Sequence, residues 1–153
     1  MPNYKLAVIG GGSWGTTVAS LLSRNADITL WARSQETVNE INTQHRNSRY
    51  LGDLPLHASL TATDDLQAAV TGADAVIMGV PSNSFRDVLG QVVGNLKTGA
   101  PLISLTKGLE RGSKLRMTQI CKELAPNHAA GVLTGPNLAK EIRPQTRPNK
   151  PRH

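Results

Sequence analysis

Apolar positions along this chain fall into short runs that alternate with stretches of helical period. Lys5-Leu6-Ala7-Val8-Ile9 is apolar on both faces, as a central parallel strand must be. From Trp14 to Arg24 the period turns helical, with Val18, Leu21 and Leu22 on one side, and Asn25-Ala26 ends the pattern. Residues 27–31 (Asp-Ile-Thr-Leu-Trp) predict a second strand, which completes a β-α-β unit of about 30 residues. Residues 34–44 form a helix with Val38 and Ile41 inward, and the polar stretch from Thr43 to Asp53 reads as loop. Leu56 to Leu60 is the expected third strand. Asp64 is the expected cap of the next helix, with Gln67 as capping-box partner, Leu66, Ala69 and Val70 inward, and Gly72 as the stop. Residues 73–80 predict a fourth strand, ended by Pro81. Phe85, Val88, Leu89, Val92 and Val93 then stand at i, i+3, i+4, i+7 and i+8 of a helix over 82–94. Pro101 to Leu105 is a fifth strand, and a helix opening at Ser113 turns Met117, Ile120, Cys121 and Leu124 inward. Residues 131–134 predict a sixth strand, after which Gly135-Pro136-Asn137 turns into one more helix. The alternation predicts a single α/β domain built on an open, doubly wound, mainly parallel sheet.

Glycines interrupt this pattern at one telling place. Gly10, Gly12 and Gly15 follow the first strand and open the first helix. Gly10 permits a tight turn, Gly12 lets backbone approach a pyrophosphate, and Gly15 lets helix and strand pack closely. The helix N-terminus adds free N–H donors and a partial positive charge. Within a β-α-β context this spacing predicts dinucleotide binding and a Rossmann-type sheet. The second strand ends Trp31-Ala32-Arg33-Ser34, with no acid before Glu36. A carboxylate there would accept from the ribose hydroxyls of NAD, whereas the Arg33 guanidinium suits a 2′-phosphate. The expected cofactor is therefore NADPH, with NADH second. Thr106-Lys107-Gly108 follows the fifth strand, at the edge where ligands of such sheets gather. Val80-Pro81-Ser82 and Gly135-Pro136-Asn137 fall at that edge too. On position alone, Lys107 is equally a phosphate or carbonyl partner and an ordinary exposed lysine.

Composition and charge narrow the picture. The aromatics are only Tyr4, Trp14, Trp31, Tyr50 and Phe85, so aliphatic residues must fill the core. The net charge of +6 would suit a nucleic-acid binder. However, four of the 17 basic side chains (Arg143, Arg147, Lys150, Arg152) lie in 143–153, which holds none of the 11 acidic ones, so the body carries only +2. No basic face with interleaved aromatics remains, and nucleic acid is not an expected partner. That final stretch has three prolines and no apolar residue, and is expected to be a disordered basic tail following a domain of residues 1–142. Cys121 stands alone in an apolar helical row and reads as a buried structural thiol. The four histidines lack ligand spacing, so no metal is assigned. No run suits a signal peptide or a membrane span, and a cytoplasmic chain without membrane insertion is expected.

Taken together, these motifs resemble the N-terminal domain of bacterial NAD(P)-dependent glycerol-3-phosphate dehydrogenases. The resemblance rests on residues 8–16 (Val-Ile-Gly-Gly-Gly-Ser-Trp-Gly-Thr), Leu30-Trp31-Ala32-Arg33, Val80-Pro81-Ser82, 106–110 (Thr-Lys-Gly-Leu-Glu) and 135–141 (Gly-Pro-Asn-Leu-Ala-Lys-Glu), and covers nearly all of 5–142. It implies an oxidoreductase that reduces dihydroxyacetone phosphate to sn-glycerol 3-phosphate for phospholipid synthesis. It also implies cofactor contacts at Ser13, Trp14, Arg33, Tyr50 and Ala139, a contact of Lys107 to both cofactor and substrate, and substrate contacts at Gly135 and Asn137. At Asn137 the family more often has Ser or Thr. The family continues into a helical C-terminal domain that supplies a general acid/base lysine and a basic phosphate site. In this sequence the likeness stops at Ile142, a change expected of a shifted reading frame or an engineered truncation. A cofactor-binding domain with little or no turnover is then expected, with no catalytic residue of its own, and the oligomeric state is open. Two other readings fit the residues: another reductase with a helical second domain, of 6-phosphogluconate or hydroxyacid dehydrogenase type, and an inactive nucleotide-binding or interaction module.

Overall fold

The computed structural model describes residues 3–133. Strands β1 (Lys5–Ile9), β2 (Asp27–Trp31), β3 (Thr61–Thr63), β4 (Ala75–Met78), β5 (Leu102–Ser104) and β6 (Ala130–Val132) form one sheet. Their order is β3-β2-β1-β4-β5-β6, with every neighbouring pair parallel. Helices α1 (Ser13–Leu22), α2 (Gln35–Gln44), α3 (Ser48–Leu51), α4 (Leu66–Val70), α5 (Ser82–Val92) and α6 (Met117–Leu124) lie between them, and a short 3₁₀ turn follows α5.

Side-chain alternation along the central strands divides the core into two layers. Ala7 and Ile9 of β1, with Val76 and Met78 of β4, pack against α4, α5 and α6 through Val70, Phe85, Leu89 and Ile120. Val8 and Ile77 point the other way, to Val18 of α1, Ile41 of α2 and the buried leucines of 51–60. Both faces are therefore covered, which is why the strand sequences read as continuous apolar runs. Cys121 is buried in the first layer, and burial pushes its thiol up to about 11, leaving it unreactive at neutral pH.

Several elements differ from expectation, each for a local reason. The third strand is Thr61–Thr63, not Leu56–Leu60. Leu56 and Leu60 are buried, and their spacing would put both on one strand face, but the backbone around them bonds elsewhere and forms no ladder. Leu56 N donates to His45 O at 2.8 Å and His57 N to Ser20 Oγ at 2.8 Å. The free edge of β3 is covered by Asn42, whose side chain donates to Ala62 O at 3.0 Å and accepts from Ala62 N at 2.8 Å. The cap of α4 is Asp65 rather than Asp64, with Oδ1 accepting from Ala68 N at 3.1 Å. Gln67 donates to Gln91 O and closes no capping box. Helix α6 begins at Met117, because Ser113 and Lys114 (φ 59°) belong to the preceding turn. Within the expected loop of 43–53, α3 makes a single turn around buried Leu51. The expected helix after Asn137 and the tail of 143–153 lie outside the described residues.

Candidate functional site

The sheet reverses its winding between β1 and β4, and the glycine turn sits at the carboxyl end of that junction. Gly10 N donates to Trp31 O at 2.9 Å, and Gly79 N to Ile9 O at 2.7 Å. Gly10 has φ +127°, and a Cβ there would stand 2.6 Å from Gly79 O. Only glycine fits between the two strand ends. Helix α1 then starts at Ser13 with Gly12 as its N-cap, no side-chain cap and no acid in its first turn. A Cβ on Gly12 would meet nothing within 4 Å. Open space and uncapped backbone donors thus face one cleft of about 780 Å³, a size suited to a small-molecule ligand.

Most of the residues lining this cleft come from four strand ends. The turn contributes Gly11, Gly12, Ser13, Trp14 and Gly15, and the end of β2 contributes Trp31, Ala32 and Arg33. Gly79, Val80 and Pro81 follow β4, and Leu105 and Thr106 follow β5. Trp31 is fixed by its Nε1 donating to Asp64 O at 3.0 Å, and the Arg33 guanidinium lies over its ring, 5.9 Å from the centroid. Ser34 caps α2, its Oγ accepting from Thr37 N at 3.3 Å. Thr106 Oγ1 donates to Val80 O at 2.5 Å, which joins the loops after β4 and β5.

Gly12, Ser13, Trp14, Gly15, Arg33 and Tyr50 are thus brought round one cleft, with Gly10 buried beneath it. Lys107 is exposed one residue beyond Thr106 and does not line the cleft. Gly135, Asn137 and Ala139 lie outside the described residues. Arg49 lines the cleft too, and its guanidinium stands 5.6 Å from the Tyr50 ring centroid. Sequence reasoning missed Arg49 by treating 43–53 as plain loop; its adjacency to Tyr50 was the available signal. Among the described residues, Arg33, Arg49 and Lys107 form no ion pair, so three uncompensated cations stand at or beside the cleft. Glu110, which follows Lys107 by three residues, is gripped by Arg86 at 2.8 and 3.1 Å and by Ser113 at 2.6 Å. The Arg86 guanidinium, then Ser113, holds the Glu110 carboxyl below the usual range.

Parallel strands in this order, with a glycine turn and an open helix N-terminus at the switch point, define the Rossmann class of nucleotide-binding folds. The model of the family described as NAD-dependent glycerol-3-phosphate dehydrogenase N-terminus matches residues 5–147, and the chain belongs to that family. The chain is 53% identical over 138 residues to glycerol-3-phosphate dehydrogenase (NAD(P)+) 2 of Sphingopyxis alaskensis, covering 90% of this chain and 41% of that protein. It is 52% identical over 143 residues to the Mycobacterium avium glycerol-3-phosphate dehydrogenase (NAD(P)+), covering 93% and 42%. The crystal structure of the Coxiella burnetii glycerol-3-phosphate dehydrogenase superposes with a TM-score of 0.83 at 30% identity, over 92% of this chain and 43% of that one. The chain therefore spans about two fifths of the length of these relatives, and matches their N-terminal, NAD-binding part. No helix among the described residues is long and apolar enough to cross a membrane.

Proposed function

We propose that this chain holds NADPH in preference to NADH, and presents it for reduction of dihydroxyacetone phosphate to sn-glycerol 3-phosphate. One observation carries the reading: the N-terminus of α1, without a side-chain cap, and Arg33, which forms no ion pair among the described residues, line the same cleft. The glycines fit a dinucleotide: the space a Gly12 side chain would take is free, and Gly10 tolerates no side chain. The N–H groups at the start of α1 hold the pyrophosphate, helped by the helix dipole. Arg33 and Arg49 hold the 2′-phosphate, where a guanidinium offers two parallel donors to phosphate oxygens. Trp14 and Tyr50 exclude water from the adenosine and pyrophosphate. When bound, the nicotinamide supplies hydride chemistry. Lys107, at the carboxyl end of β5, lends positive charge to the ketone oxygen or the substrate phosphate, and the Arg86–Glu110 grip steadies its loop. For Lys107, Tyr50, Gly135, Asn137 and Ala139 the support is the likeness to the family.

Titration of the 153-residue chain with NADPH and NADH tests the reading, followed by an assay of dihydroxyacetone phosphate reduction. Tighter binding of NADPH is expected. Equal affinity for the two, or tighter NADH, removes the 2′-phosphate assignment; absence of binding removes the whole reading.

A further inference from the structure

We infer that Asn47 is a positioning residue for the phosphate turn. Its side-chain amide holds the Gly11 carbonyl and the first turn of α1 so that the N–H groups of the turn face the pyrophosphate. The inference rests on the cofactor reading above and extends it to a residue outside the cleft lining.

Asn47 is completely buried. Its Nδ2 donates to Gly11 O at 2.9 Å and to Thr16 Oγ1 at 3.0 Å, reaching back 36 and 31 residues along the chain. A carbonyl in a phosphate turn is a liability, because an oxygen swung toward the ligand would repel it. Pairing with Asn47 keeps the Gly11 carbonyl on the buried side. On its other flank the turn meets the end of β2: a Cβ on Gly11 would stand 2.8 Å from the Ala32 Cβ. The turn is therefore gripped between Ala32 and Asn47. Thr16, itself fully buried, joins the helix to the same grip.

A second observation separates this role from ordinary packing. The Asn47 Oδ1 is buried and has no partner among the described residues. Gly11 O can only accept, so the amide must present its NH₂ to the turn and leave its own oxygen unpaired. An unpaired buried acceptor is unfavourable, and a residue serving stability alone would avoid it. The remaining attachments of this segment do not use the Asn47 side chain. Ser48 N donates to Glu40 Oε1 at 2.8 Å, Arg46 pairs with Glu40 at 3.3 Å, and the Asn47 carbonyl accepts from Leu51 N at 2.8 Å. Loss of the amide would thus free the turn while leaving Arg49 and Tyr50 docked.

The test compares two ligands on the full chain: NADPH, which carries a pyrophosphate, and 2′-AMP, which carries only the 2′-phosphate end. Asn47→Ala is expected to weaken NADPH about tenfold, the scale of one lost hydrogen bond, while 2′-AMP affinity changes less than about twofold. Unchanged NADPH affinity, or equal weakening of both ligands, overturns the inference. Should Asn47→Ala fail to fold, Thr16→Val removes one of the two tethers at constant shape; it should weaken NADPH a few-fold and spare 2′-AMP, and any other pattern counts against Asn47. A wild-type chain that binds no NADPH overturns the cofactor reading itself, and this inference with it. Wild-type binding with unaffected variants overturns only the role of Asn47.

Discussion

The same substitution at two glycines of one turn should separate folding from binding. Gly10 has φ +127°, a region open in practice only to glycine, and an added Cβ would lie 2.6 Å from Gly79 O and 2.7 Å from Gly79 C. Those atoms are backbone at the end of β4, where Gly79 N is itself bonded to Ile9 O, so they cannot swing aside. Backbone strain of about 1–3 kcal/mol and overpacking of about 1–3 kcal/mol together give Gly10→Ala an expected loss of about 2–6 kcal/mol. Against a typical domain stability of about 5–15 kcal/mol this is severe. With a urea slope of about 2 kcal/mol/M, the midpoint should fall by about 1–3 M. Gly12 differs in both respects. Its φ is −74°, and a Cβ would meet nothing within 4 Å. Gly12→Ala should cost under about 1 kcal/mol, the scale of an N-cap change. Its methyl group would nonetheless occupy the space through which backbone approaches a pyrophosphate, and NADPH should bind about tenfold more weakly or worse. Urea unfolding and NADPH titration of both variants provide the assay. A stability loss below about 1 kcal/mol at Gly10, or wild-type NADPH affinity in Gly12→Ala, would refute this division of labour.

Three further outcomes are expected. Arg33→Ser should weaken NADPH by about ten- to a hundredfold, the worth of a charge-assisted contact, and leave NADH nearly unchanged; parallel titrations with both cofactors read this directly. Phe85→Ala empties a fully buried position between α5 and the sheet, and should cost about 3–5 kcal/mol by urea unfolding. The Glu110 carboxyl is held below its ordinary 4.5 chiefly by Arg86, and that of Asp74 below its ordinary 3.8 chiefly by Lys97. Both stabilise the fold above the ordinary carboxylate pKa, and the contribution disappears as pH falls through the depressed values. Stability should therefore decline on acidification below about pH 4.5, and Arg86→Met should make that decline shallower; an identical pH profile in the variant would contradict the assignment.

Much of this molecule was legible along the chain because its determinants are local. A buried parallel strand must be apolar on both faces, so β1, β2, β4 and β5 announced themselves, and the 3.6-residue stripe of Phe85, Val88, Leu89 and Val92 announced α5. The glycine spacing and Arg33 were readable for the same reason: turn, helix start and strand end are neighbours in sequence. The third strand was misplaced because burial of Leu56 and Leu60 looks the same whether the backbone of that segment joins a ladder or, as here, bonds to His45, to Ser20 of α1 and within a local turn. The cap of α4 moved by one residue because the Asp64 carbonyl is engaged by Trp31, 33 residues away.

What the sequence by itself determined was the class of sheet, the phosphate turn and the cation at the end of β2, all set by backbone sterics and short-range period. Only the tertiary structure decided which residues from distant loops meet that turn. It set Arg49 and Tyr50 on the same cleft as Arg33 and left Lys107 outside the cleft lining. It also brought Asn47 under Gly11 across 36 residues of chain. Such meetings depend on how α2 and the segment after it fold back over the sheet, a packing outcome that no window of neighbouring residues encodes.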